Sequence, residues 1–270
     1  MPGETPDELN ERRDRAYFEM TLAENADWLR RIGEPLEFAG RRVLDIGCGH
    51  GALSLNAAEW GARSVTGIDL DRDRIRFARA MLKERYARYA DRVRFLSSDV
   101  AELRGEFDLV ISKDTFEHVE DIDRLLANVW RLLAPGGRLA VGFSPLYYSP
   151  KGDHGRWRLG VPWLHAVLPE RYLAARISRL TGARVERATD IGLNRLTPAQ
   201  FRSEMARYPW EALAIRYNRG EKWPLRVAEL LRRTRVLEKY ATVSIYAVAR
   251  KGRPVRHATG AEPVLERPAA

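Results

Sequence analysis

A single cysteine, Cys48, occurs in 270 residues, so no intrachain disulfide can form and no cysteine cluster exists for iron–sulfur radical chemistry. No apolar run is long enough to span a bilayer. The opening residues, MPGETPDELNERRDR, lack the hydrophobic segment of a signal peptide. No internal repeat is visible. These absences set the expectation of a cytoplasmic chain that does not engage a membrane. Acidity is also scarce in one half. Residues 1–143 hold 22 Lys and Arg against 26 Asp and Glu, a net of −4, whereas residues 144–270 hold 24 against 11, a net of +13. Such asymmetry suggests an anionic partner, although much of the excess is interspersed with Leu and Ala at helical spacing, as on a solvated face.

What the chain does have begins at Val43. The run Val43-Leu44-Asp45-Ile46 reads as a short buried strand, Gly47, Gly49 and Gly51 alternate after it, and Ala52 to Trp60 reads as a helix. Strand, glycine turn and helix let backbone N–H groups approach a ligand closely, since glycine has no Cβ to block it. The G-x-G-x-G spacing differs from the G-x-G-x-x-G of dinucleotide folds, and no Lys-Ser/Thr follows as in a phosphate loop. Asp45 in the turn region would repel a pyrophosphate, so a ligand with a cationic end fits better.

Further on, alternating segments predict strands at Arg41–Ile46, Ser64–Ile68, Val93–Val100 and Phe107–Ser112, and another after the Pro135-Gly136-Gly137 turn. Helices are predicted over 7–33 (as one or two), 72–90, 121–134, 169–181, 197–208 and 225–240, with further strands over 210–217 and 242–250. Alternation of this kind implies a parallel sheet covered on both faces, with ligands at the carboxyl ends of its strands. Asp45, Asp69, Asp99 and the pair Lys113–Asp114 all fall at such ends.

VLDIGCGHG resembles the first motif of the class I S-adenosylmethionine-dependent methyltransferases, and GIDLD (67–71), VRFLSSDV (93–100), FDLVIS (107–112) and LLAPGGRLAVGF (132–143) follow in that family's order. The resemblance covers 39–143 closely and 196–251 loosely. It implies an α/β, Rossmann-like, doubly wound seven-stranded sheet, mostly parallel with an antiparallel last strand, plus an inserted lid or acceptor subdomain. The expected organisation is an N-terminal helical cap over 1–38, a cofactor-binding core over 39–143, an inserted substrate-recognition lid over 144–196, completion of the fold over 197–251 and a disordered tail over 252–270. The resemblance further implies S-adenosylmethionine as cofactor. Backbone at Gly47, Cys48 and Gly49 would face its methionyl part and Asp45 its cationic end, with Lys113 beside the same cleft. Asp69 would accept from the ribose hydroxyls, Leu70 would pack on the adenine, and Asp99 with Val100 would meet the adenine amino group.

A base for an O–H acceptor is sought among the histidines. His118, in FEHVED, His154, in KGDHGRW, and His165, in PWLH, are the candidates, each with an alternative structural reading. Asp114 and Asp153 have no spaced motif with other ligands, so no metal is expected. The Asn/Asp-Pro-Pro-Tyr/Phe motif of amino-directed nucleic-acid enzymes is missing, and Cys48 is poorly placed for cytosine-C5 chemistry. These features favour methyl transfer to a hydroxyl of a small molecule, such as a sugar or glycan precursor or a secondary metabolite, with an anionic acceptor suiting the basic half. The alternatives are an RNA methyltransferase using that half as a phosphate track, and a non-catalytic binding protein on the same fold. The sequence carries no mark of oligomeric state.

Overall fold

The computed structural model describes residues 5–219 and 223–252. A long helix α1 (Pro6–Ile32) starts at Thr5, whose hydroxyl accepts from the Glu8 N–H while the Glu8 carboxylate accepts from the Thr5 N–H. It is one helix where the sequence allowed two. It ends at Gly33, in the left-handed conformation (φ 75°). There follow β1 (Arg42–Ile46), α2 (Ala52–Glu59), β2 (Ser64–Asp69), α3 (Arg72–Glu84), β3 (Val93–Ser97), β4 (Phe107–Lys113), α4 (Ile122–Leu132) and β5 (Leu133–Phe143). After β5 come α5 (Leu164–Val167), α6 (Glu170–Thr181), α7 (Pro198–Ala206), β6 (Trp210–Tyr217), α8 (Trp223–Arg232), α9 (Glu238–Ala241) and β7 (Ile245–Lys251).

The seven strands form one sheet in the order β3-β2-β1-β4-β5-β7-β6. The pairs β1–β2, β2–β3, β1–β4 and β4–β5 are parallel, and β7 runs antiparallel to both β5 and β6. The predicted architecture is therefore the observed one. Successive residues of the central strands feed opposite cores. Val43, Leu109 and Ile111 pack with Phe18 and Trp28 of α1, Leu55 of α2 and Ile75 of α3. Leu44 and Val110 pack on the other face with Leu126 and Val129 of α4 and Phe201 and Met205 of α7. Residues 144–196 have a smaller core of their own around Tyr147, Trp157, Leu173 and Ile177.

Two predicted helices are shorter than expected. The one over 72–90 ends at Glu84 because the Arg85 and Tyr86 N–H groups both turn back to the Met81 carbonyl, burying Tyr86 against Phe18. The one over 225–240 splits into α8 and α9. Thr234 donates its hydroxyl to the Leu231 carbonyl, a local bond that competes with continuing the helix, while its own backbone carbonyl accepts from the Leu237 and Glu238 N–H groups at the start of α9. The predicted disordered tail lies, beyond Gly252, outside the described residues. Among the described residues no helix is long and apolar enough to cross a membrane.

Order reverses between β1 and β4. The chain runs outward through β2 and β3 on one side and returns to add β4 on the other, leaving a crevice beyond the carboxyl ends of β1 and β4.

Candidate functional site

That crevice is a cleft of about 240 Å³ with the glycine turn as its floor. The Gly47 and Cys48 N–H groups both donate to the Ile68 carbonyl, at 2.8 and 2.9 Å, which folds the turn over the end of β2. A Cβ on Gly47 (φ 71°) would overlap the Thr115 hydroxyl. Gly49 differs: it has φ 51°, yet nothing lies within 4 Å of where its Cβ would stand. The absent side chain is part of the open cleft, a cradle that an alanine would fill.

Charged groups ring this floor. Asp69, at the end of β2, accepts from the Gly49 N–H with one oxygen and from the Asp71 N–H with the other, both at 2.9 Å. Asp45 is buried and accepts from the Ser54 hydroxyl at 2.6 Å. Burial pushes its carboxyl up to about 7. Lys113, at the end of β4, donates to the side-chain oxygen of buried Asn25 at 3.0 Å, and burial lowers its ammonium below the usual lysine range. Asn25 in turn donates to Asn56 at 2.8 Å, tying α1 to α2 and β4. Asp114, held at φ 50°, accepts from the Ser144 N–H at 3.2 Å and is pushed up to about 6 by burial. The wall opposite the turn comes from Tyr17, Met20, Thr21 and Glu24, successive positions on one face of α1. Cys48 is buried, with its thiol pushed well up by that burial. At the outer edge, Leu70 is 73% exposed. Asp99 caps a short 3-10 turn through the Ala101 N–H at 2.8 Å, with buried Val100 beside it.

Behind Asp114 lies a second group, formed by Glu117, His118 and His154. Glu117 is 3% exposed, and neither of its carboxyl oxygens has a hydrogen-bond partner. Burial, with the neighbouring Asp114 charge, raises its carboxyl well above the ordinary range. His118 engages the Gly192 carbonyl through Nδ1 at 2.7 Å, and His154 the Pro145 carbonyl through Nε2 at 3.0 Å. Their rings are 5.0 Å apart. Desolvation takes His118 down to about 4 and lowers His154 too, so both imidazoles are neutral at pH 7. The third histidine, His165, is not part of this group. It is buried in the small core of the insertion, its ring edge-on to Tyr147 and its Nε2 engaging the Tyr147 carbonyl at 2.6 Å.

A larger cavity, about 1050 Å³, opens on the other side of Ser144 between α1, β6 and α8. Its lining carries Arg30, Arg31, Arg216, Arg219, Arg226 and Arg232 against Asp27 and Glu229. Arg216 pairs with Glu34 at 3.2 Å, and Arg232 pairs with Glu229 and lies over the Tyr217 ring. Arg219 and Arg226 have no acidic partner among the described residues.

Sequence reasoning placed the glycine turn, Asp45, Asp69 and Lys113 at one cleft; the turn, Asp45 and Lys113 line it, Asp69 is tied to it through the Gly49 N–H, and Leu70, Asp99 and Val100 are not among its lining residues. It missed Glu117, adjacent to the noted His118, and Arg74, which lines the same cleft. The helical cap expected over 1–38 is α1, whose Tyr17, Met20, Thr21 and Glu24 line the cleft.

The strand order and flanking helices are Rossmann-like, the fold type seen in class I methyltransferases. Residues 43–137 match the family model described as a methyltransferase domain. Over 108 residues the chain is 41% identical to a ubiquinone biosynthesis O-methyltransferase of Xanthomonas oryzae pv. oryzae, covering 40% of this chain and 45% of that one. A protein of the same name from Aromatoleum aromaticum is 36% identical over 155 residues, 57% and 59% of the two chains. The chain thus spans about half the length of these curated relatives. An S-adenosylmethionine-dependent methyltransferase from Mesorhizobium loti superposes with a TM-score of 0.56 at 22% identity, covering 85% of this chain and 100% of that one, a likeness of fold. Residues 43–137 thus match a methyltransferase domain, and the fold around them is the one that S-adenosylmethionine-dependent methyltransferases share.

Proposed function

We propose that this protein transfers a methyl group from S-adenosylmethionine to a hydroxyl of a small anionic acceptor. The observation that carries the reading is the open cradle over Gly49, with a carboxylate at the end of β2 on one side and an arginine-lined cavity sharing the α1 wall on the other. The cleft suits the cofactor. A Cβ-free floor admits the methionyl chain, the Asp69 carboxylate has lone pairs left for a ribose diol, and exposed Leu70 offers a face for the adenine, with Asp99 and Val100 next along the edge. Asp45 and Asp114, both poised near neutrality, favour a cationic ligand, which would draw them into their charged forms. When bound, the cofactor supplies an electrophilic methyl group on a sulfonium.

The chain's own residues orient and desolvate. Asp69 and the turn amides fix the cofactor, α1 excludes water from it, and the insertion over 144–196 covers the acceptor side. Neutral His118 and His154 are the groups placed to take a hydroxyl proton. His165 is the weakest of the three candidates because its ring is committed inside the insertion. The oxygen acceptor is supported by the names of the relatives matching the core, and the anionic character by Arg219 and Arg226. A phosphate-bearing sugar or glycan precursor joins both features.

The test begins with calorimetric titration of S-adenosylhomocysteine into wild type and Asp69→Ala. Acceptors are then screened with methyl-labelled cofactor, sugar nucleotides and phenols first. Micromolar binding weakened by roughly 100-fold in the variant, then label transfer to an anionic hydroxyl compound, is the expected result. No binding to the wild type overturns the reading.

A further inference from the structure

We propose that Glu117, His118 and His154 bind a divalent transition-metal ion, joining the core to the inserted segment. Glu117 and His118 follow β4, whereas His154 comes from the insertion after β5, so no spaced motif announces the set. One ligand atom from each lies within 4.8 Å of the others. A metal with bonds of roughly 2.0–2.2 Å needs its ligand atoms roughly 3.3 Å apart, so small side-chain rotations complete the site.

Two independent features favour a cation over a packing accident. First, Glu117 buries both carboxyl oxygens with no partner at hydrogen-bond geometry, an unfavourable state that a bound cation would relieve. Second, each histidine engages a backbone carbonyl through one ring nitrogen, Gly192 for His118 Nδ1 and Pro145 for His154 Nε2. A carbonyl only accepts, so that nitrogen carries the proton and the other, His118 Nε2 or His154 Nδ1, presents a lone pair. This is the outer arrangement that orients metal-bound imidazoles.

Two imidazoles and one carboxylate suit zinc, manganese, iron or cobalt better than calcium, which prefers an all-oxygen shell. Three protein ligands leave at least one position open. Arg74 and Asp114, which line the cofactor cleft, act electrostatically on His118 and Glu117, so the three residues stand near that cleft. As an acceptor-holding site it rests on the methyl-transfer reading; as a metal site it does not, and with the ion bound both free ring lone pairs are taken, so the proton-accepting role given above to His118 and His154 belongs to the metal-free chain.

The test uses the full chain, stripped with a chelator and titrated with Co²⁺ while visible absorption is recorded, and with Zn²⁺ in competition with a chromophoric chelator. One ion per chain is expected, with d–d bands of a nitrogen- and oxygen-ligated site and a higher Tm for the metal-loaded protein. Glu117→Gln and His154→Ala each weaken binding on the order of 100-fold. Titration of the same variants with S-adenosylhomocysteine reports whether the core remains folded. The proposal is overturned if the stripped wild type takes up no ion at micromolar metal, or if both variants bind as the wild type does. Metal uptake without S-adenosylhomocysteine binding would sink the methyl-transfer reading and leave the metal site standing.

Discussion

Replacing Gly49 by alanine separates folding from ligand binding. At φ 51° the backbone sits in the left-handed region, where an L-residue costs about 1–2 kcal/mol. No atom lies within 4 Å of the new methyl, so no clash adds to that cost. At about 2–4 °C per kcal/mol for a chain of this size, Tm should fall by about 2–8 °C, and the protein should stay folded at 25 °C. The methyl group instead occupies the cradle assigned to the cofactor. Overpacking of a filled site costs about 1–3 kcal/mol, which is roughly 5- to 150-fold in the Kd for S-adenosylhomocysteine. Gly47→Ala provides the contrast: its Cβ overlaps Thr115, so it should lose stability first, and Thr115→Ala in the same chain should restore part of it. Calorimetric titration beside a thermal melt reads both quantities. A folded Gly49→Ala protein that binds within twofold of wild type would refute the placement of the cofactor on this floor.

Other outcomes follow from the same geometry. An unfolded aspartate ionises near pH 4, whereas Asp45 in the fold does so at about 7. Between these values the folded state holds a proton that the unfolded state has lost, so the contribution falls by up to about 4 kcal/mol as pH rises and is flat above 7. Asp45→Asn removes this slope, seen as a smaller difference between urea midpoints at pH 5 and pH 7 than in the wild type. Asn25→Ala strands Lys113 and Asn56 and should cost about 2–3 kcal/mol in urea unfolding, with weaker S-adenosylhomocysteine binding as α1 loosens; unchanged stability would contradict the three-way tie. Trp157, 1% exposed in the small core of the insertion, should cost about 3–5 kcal/mol on truncation to alanine. That variant should keep S-adenosylhomocysteine affinity while losing methyl transfer, and retained transfer would argue against the insertion as the acceptor cover.

The fold was legible where signals are local. Trp210–Tyr217 is β6 with the predicted ends, and the Thr197–Gln200 capping pair marked the start of α7. The break between α8 and α9 was not, because it depends on a threonine hydroxyl competing with the helix, with no glycine or proline to announce it. The glycine turn and Asp69 were readable because the turn and the next strand end are close in the chain. Glu117 and His154 are 37 positions apart, and only the path of the insertion brings them together. The positive charge of the second half was visible, but the basic cavity was not, since Arg30 and Arg31 come from the other end of the chain.

A single helix walls both cavities: Tyr17, Thr21 and Glu24 of α1 face the cofactor cleft, and Asp27, Arg30 and Arg31, one to two turns on, face the basic one. Each ligand that seats against α1 restrains the surface the other will use, so the two binding equilibria are linked through one rod. Linkage is reciprocal: whatever factor an anion in the basic cavity applies to cofactor affinity, the cofactor must apply to the anion. With the cofactor and an anionic acceptor seated as proposed, substitutions along that face of α1 should change the affinity for both together.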